Sequence, residues 1–149
     1  MSAPLYNTDI LRLAAGIPHH ARLAEPQGTA ERRSPVCGSR VTVDVTLGPD
    51  DRVAEVGLLV RACALGQASA SLLAAAILGR TPAELAATSD ALSAWLAGEP
   101  ERPDWPGIEV LMPARDYPAR HASIRLAFEA AAEAAQTACA TRGVERAHG

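Results

Sequence analysis

Residues Val41-Thr-Val-Asp-Val-Thr-Leu47 alternate apolar side chains with polar or β-tolerant ones, and Gly48-Pro49-Asp50-Asp51 then leads into a second apolar run, Val53 to Val60. Successive side chains of a strand point to opposite faces, so this period of two commits Val41, Val43, Val45 and Leu47 to one face. Gly, Pro and Asp supply turn chemistry between the runs. The pattern predicts a β-hairpin, and whatever the chain folds into must cover its valine face.

The rest of the sequence supplies the cover. From Ala64 the residues are small and helix-favouring, and an apolar run from Leu72 to Leu78 is stopped by Gly79, which predicts a buried helix. Thr81-Pro82-Ala83-Glu84 joins an N-cap threonine, a proline at the first helical position and a glutamate at the third. A helix starts there and reaches Leu96, with a break expected near Ser89. A short amphipathic helix lies within Leu5 to Ala15, ended by Gly16 and Pro18, and a last long helix runs from about Ala119 to Arg142. His19 to Ser34 reads as a loop with room for one edge strand. Gly98 to Met112, with Pro100, Pro103 and Pro106, reads as a surface excursion that Pro113 and Pro118 prolong, and the tail after 143 reads as frayed. Of 149 residues 48% are hydrophobic, yet the aromatics are two Trp, two Tyr and one Phe, so the core is built from Leu, Val, Ile and Ala. That suits one domain of helices packed closely on a sheet.

Charge and composition narrow the function. The net charge is −3 and the sequence shows no concentrated basic stretch, which argues against a nucleic-acid partner. Every cation other than histidine is an arginine, so lysine Schiff-base chemistry is excluded. The opening Met-Ser-Ala-Pro-Leu-Tyr-Asn has neither the cationic nor the apolar region of a secretory signal, and the longest apolar stretch is far short of a bilayer span. The expectation is a cytoplasmic protein with no membrane partner. Three widely spaced cysteines argue for free thiols or metal ligands over a disulfide framework.

Cys37, in Ser34-Pro-Val-Cys-Gly-Ser39, precedes the hairpin, and Cys63, in Arg61-Ala-Cys-Ala-Leu-Gly66, follows it at the start of a helix. A hairpin returns the end of its second strand beside the start of its first, so the two thiols are expected as neighbours. Such a pair is half of a tetrahedral site for zinc or an iron-sulfur cluster. A helix N-terminus favours thiolate, which marks Cys63 as the better ligand or nucleophile. Cys139, late in the last helix among alanines, reads as a packing or surface residue. His19 and His20 are adjacent in a loop and point apart.

Five elements occur in a telling order: Leu5-Tyr-Asn-Thr-Asp-Ile-Leu11, Pro-Val-Cys-Gly at 35 to 38, the hairpin, Ala62-Cys-Ala-Leu-Gly-Gln-Ala-Ser-Ala-Ser71, and Pro118-Ala-Arg-His-Ala-Ser123. In that order and spacing the chain resembles the IscU/SufU/NifU N-terminal iron-sulfur scaffold family, over about residues 5 to 135. The irregular stretch 98–118 stands where SufU-type members carry extra residues, so the resemblance is nearer to that type. It implies an α/β fold of the α+β kind, a small, mainly antiparallel sheet packed on one face by helices, with a metal site at one end. The sequence departs from the family at two places. The family's Asp, two residues after its first Cys, is Ser39 here, and its third Cys falls on Ser123, or on Ala122 if His121 is aligned with the family histidine.

The resemblance implies an iron-sulfur cluster assembly protein rather than an enzyme. Cys37 and Cys63 would bind iron, zinc or a cluster, His121 would stand in as third ligand, and Ser39 or Ser123 would be at most a weak one, since a hydroxyl is a poor ligand. Cys63 would be the sulfur acceptor. The implied partners are a cysteine desulfurase and other assembly proteins, with a homo-oligomer as one way to complete the site. The replaced Asp and Cys support a second reading, a degenerate scaffold paralogue that binds or regulates a desulfurase without catalysis. A third is a thiol enzyme with Cys63 as nucleophile and His121 as base.

Overall fold

In the hairpin, β2 (Arg40–Leu47) and β3 (Val53–Arg61) pair antiparallel, with Val41 opposite Val60 and Val45 opposite Val56. The turn between them is held from a distance, because Arg142 donates to the carbonyl of Gly48 and to Asp51. The structure, a computed structural model, describes residues 6–35 and 38–148, with side chains described to residue 143. A third strand, β1 (Gly28–Arg33), adds antiparallel to β2, giving a three-stranded sheet in the order β1-β2-β3. This is the edge strand for which the loop had room.

The described residues form four α-helices besides the sheet: α1 (Thr8–Ala15), α2 (Ala64–Ala76), α3 (Pro82–Leu96) and α4 (His121–His148). Local chemistry sets their starts. The Asn7 side chain accepts from the Ile10 N–H, and Thr81 accepts from the Glu84 N–H with Pro82 behind it. The N-terminal helix therefore begins at Thr8, and α3 runs unbroken through Ser89 to Leu96.

The long helix α4 lies on β1 and β2 and meets α2 and α3 on its other sides. Val41, Val43 and Val45 point to it and are fully buried, and the helix answers with alanines, among them Ala130, Ala131, Ala134 and Ala138. Alanine is what lets helix and sheet approach closely. At Gly28 a Cβ would stand 2.0 Å from the Ala134 carbonyl oxygen and 2.6 Å from the Ala138 nitrogen, so only glycine fits.

The second face of the sheet is covered at one end only. Asp44 points there, fully buried, and accepts from Arg22 Nε at 2.6 Å and Nη2 at 3.0 Å, from the Leu23 N–H and from the Thr29 hydroxyl. Burial by itself would push this carboxyl up; the hydrogen bonds from Arg22, Thr29 and Leu23 outweigh it and hold the group below its ordinary value. In the same segment the His19 carbonyl accepts from the Leu58 N–H, and His20 Nε2 accepts from the Val60 N–H at 3.3 Å. The two adjacent histidines thus both serve to lay the loop along β3.

The proline-rich stretch is not merely a surface excursion. It contains two 3-10 segments, Ile108–Asp116 and Pro118–Arg120, and folds back onto the helices through buried Trp105, Ile108 and Leu111. Trp105 donates from Nε1 to the Leu72 carbonyl at 2.8 Å, meets Phe128 edge to face at 5.3 Å and carries the Arg80 guanidinium over its ring at 4.5 Å. Prolines break helix geometry without preventing burial, and the indole anchors the strap between them.

Candidate functional site

Arg40, the first residue of β2, lies opposite Arg61, the last of β3, so the residues just outside this pair meet at one end of the sheet. Ser39 precedes Arg40, and Cys63 follows Arg61 by two residues. The third contributor comes from α4, whose first turn holds His121 and Ser123. The ordered motifs are therefore brought to one place. Val36 and Cys37 lie outside the described residues, so the expectation that Cys37 neighbours Cys63 is not among the positions the structure describes.

Cys63 is the N-cap of α2, in extended conformation, half-buried, and makes no side-chain cap bond. It lines an open cleft of about 640 Å³ together with Ser39, Arg61, Gln67 and Arg120. Ser39 and Ser123 are buried, and their hydroxyls lie 3.2 Å apart. His121 is also buried, but its Nε2 donates to the Ala114 carbonyl at 2.9 Å, which holds the proton on that nitrogen. Its ring borders a different cleft, of about 500 Å³, with Met112, Arg115 and Asp116. Cys139 is exposed on α4.

The Ala68-Ser69-Ala70-Ser71 motif has a packing explanation. All four residues are buried in α2, and the Ser69 hydroxyl donates to the Ile124 carbonyl of α4 at 2.6 Å. Gly66 makes the same contact possible one turn earlier, since a Cβ there would come within 2.7 Å of Ala62 Cβ and 3.3 Å of the Ser123 carbonyl. The segment joins helices, and Cys63 caps the start of the helix that carries it.

Among the described residues no three His, Cys, Asp or Glu side chains gather where a metal ion could be held. This corrects the expectation of an iron-sulfur assembly protein that binds iron, zinc or a cluster through two cysteines. The reason is in the donor set. Two positions that would complete the site carry hydroxyls that meet each other, the imidazole is engaged with a backbone carbonyl, and the cleft around Cys63 is walled by two guanidinium groups, which oppose a cation. Among the described residues the donors do not fit the metal or cluster that the fold family implies. The sequence reading had also missed Arg61 and Arg120; both sit at element boundaries, which is the signal that could have drawn them out.

Comparison with known proteins follows the fold. A family model described as "NifU-like N terminal domain" matches residues 5–105. The crystal structure of a nitrogen-fixing NifU-like protein (N-terminal) from Brucella abortus superposes with a TM-score of 0.81 at 37% identity, covering 91% of this chain and 95% of that one. A protein from Fervidobacterium islandicum, described as an iron-sulfur cluster assembly scaffold for the SUF system, superposes with a TM-score of 0.78 over 88% of this chain and 96% of that one; at 20% identity the likeness is one of fold. In sequence, the iron-sulfur cluster assembly scaffold protein IscU of Streptococcus pyogenes is 24% identical over 119 residues, 78% of this chain and 74% of that protein.

Proposed function

This chain belongs to the NifU-like N-terminal domain family, and from that premise we propose that it is a degenerate scaffold paralogue, a non-catalytic binding or regulatory partner of a cysteine desulfurase. The observation that carries this reading is the buried contact between Ser39 and Ser123, two hydroxyls at the positions where the resemblance puts a carboxylate and a thiolate. A scaffold fold kept whole, with Trp105 and Phe128 packed and the α2–α4 seam closed, preserves a surface that a partner can recognise after the ligand set is gone. Relatives named for iron-sulfur cluster assembly support the choice of partner. The proline-rich strap at 98–118 supports grouping the chain with SufU-type members, and the whole chain is read as one scaffold-like domain.

The test is binding of the purified chain to a cysteine desulfurase, measured by calorimetry alongside metal analysis of protein made with iron and zinc supplied. Binding that survives in the Cys37→Ala, Cys63→Ala double variant, with no stoichiometric metal in the parent, is the expected result. A parent that carries one metal per chain, lost in the double variant, or one that does not bind the desulfurase at all, would overturn it.

A further inference from the structure

The strand register builds something that the dispersed sequence conceals. Arg33, the last residue of β1, is the cross-strand partner of Arg40, and Arg40 is the partner of Arg61. Cross-strand partners point to the same face, so three guanidinium groups form one row across the whole sheet. Like charges placed directly opposite each other are destabilising, and here the opposition occurs twice. The fourth arginine, Arg120, faces the row from the turn before α4, across the cleft that Arg61 also lines.

Little compensates this charge. Glu31, in the next row of the same face, lies 3.0 Å from Arg33 and 3.6 Å from Arg40. Among the described residues neither Arg61 nor Arg120 has a carboxylate within 4.0 Å, and no acidic side chain lines either cleft beside them. The two clefts, of about 410 and 640 Å³, share Gly38 and Arg61 and so form one groove from Arg33 to Arg120. The row adjoins Leu59, exposed at 40% on the same open face of the sheet. In a chain of net charge −3, this end is locally cationic.

We propose that the row Arg33, Arg40 and Arg61, continued by Arg120, is a docking surface for an acidic peptide segment of a partner protein. Glu31 already shows how one carboxylate is received, between Arg33 and Arg40. The groove is too long for a single small oxyanion. Strands lie about 4.8 Å apart and same-side residues of an extended peptide recur at about 7 Å, so two carboxylates on alternate residues span the row. Guanidinium groups pair with carboxylates through two parallel hydrogen bonds, and Leu59 offers an apolar contact beside them. The inference rests on the reading of this chain as a protein-binding module, though not on which protein supplies the segment.

The experiment is fluorescence anisotropy with the full chain and a labelled ten-residue peptide of alternating Glu and Ala, against its Gln counterpart. The Glu peptide binds and the Gln peptide does not. Arg40→Gln/Arg61→Gln weakens binding by about tenfold or more, as expected when charge-assisted contacts are lost, whereas Arg12→Gln/Arg102→Gln, the same loss of charge elsewhere, does not. The row variant melts no lower than the parent, because its opposed charges are gone; Arg120→Gln, on the facing wall, gives an independent reading of the same loss. Equal binding by parent, row variant and Arg120→Gln overturns the proposal. So does tighter binding of a uridine oligonucleotide than of the Glu peptide, or saturable binding of inorganic phosphate with none of the peptide. Failure here with desulfurase binding intact leaves the preceding reading standing, and the reverse result separates them the other way.

Discussion

Ser39 Oγ and Ser123 Oγ lie 3.2 Å apart in the interior although 84 residues separate them in sequence. The pair joins the start of β2 to the first turn of α4 at the end of the sheet that also holds Cys63. The two hydroxyls make a structural contact there.

Placing metal donors at these two positions should confer metal affinity. The variant Ser39→Asp/Ser123→Cys, grown with zinc, is expected to carry about one zinc per chain, since a carboxylate and a thiolate replace two hydroxyls beside Cys63. The parent is expected to carry none in stoichiometric amount. Elemental analysis of both proteins checks this, and an unchanged metal content in the variant would show that the arginine-walled cleft alone forbids a cation.

His121 acts through its bond to Ala114. Replacing it with alanine removes a buried hydrogen bond and leaves the carbonyl with its bond from the Tyr117 N–H alone, at a cost of about 0.5–1.5 kcal/mol. Denaturant unfolding measures the loss. Metal content should not change, and His121→Gln, which keeps a donor, should recover part of the stability.

Asp44 makes stability depend on acid. Its folded pKa is lowered, so the contribution is fully present above its ordinary value and disappears as pH falls through the lower folded one. Unfolding midpoints measured from neutral pH down into the acid range should fall below about pH 4 more steeply in the parent than in Asp44→Asn. At neutral pH that variant is expected to lose about 2–3 kcal/mol, the value of charge-assisted hydrogen bonds from a partner, Arg22, that is itself half exposed.

Gly28→Ala should be among the most damaging single substitutions. The new methyl would meet main-chain atoms of α4, which do not move as a side chain end would, and β1 would have to leave the helix. A loss of about 3 kcal/mol or more, or failure to fold, is expected. Circular dichroism melting distinguishes this from Gly48→Ala, at an exposed turn where the nearest atom, at 3.2 Å, is the end of the Asp50 side chain.

Much of the fold was legible because its signals are local. The alternation of Val41 to Leu47, the turn at Gly48 to Asp51, and the cap at Thr81 each act within a few residues, and each produces the element it announces. The strap from 98 to 118 was legible as irregular but not as buried. Prolines report where regular hydrogen bonding ends, while the burial of Trp105 depends on the Leu72 carbonyl and the Phe128 ring, both supplied by helices elsewhere. The Ala-Ser-Ala-Ser motif marked the right helix, but its Ser69 serves the seam with α4.

By itself the sequence determined which family of folds this is and that Ser39 and Cys63 flank the hairpin at one end of the sheet, since strand period, turn chemistry and helix caps are properties of short segments. Only the tertiary structure decided what those residues do there. Whether His121 turns toward a metal or toward Ala114, whether Ser39 meets Ser123, and whether Arg33, Arg40 and Arg61 stand in one row are set by side-chain direction and strand register. Those are fixed when helix and sheet pack together, and a one-residue slip of any one strand would have turned its arginine to the other face.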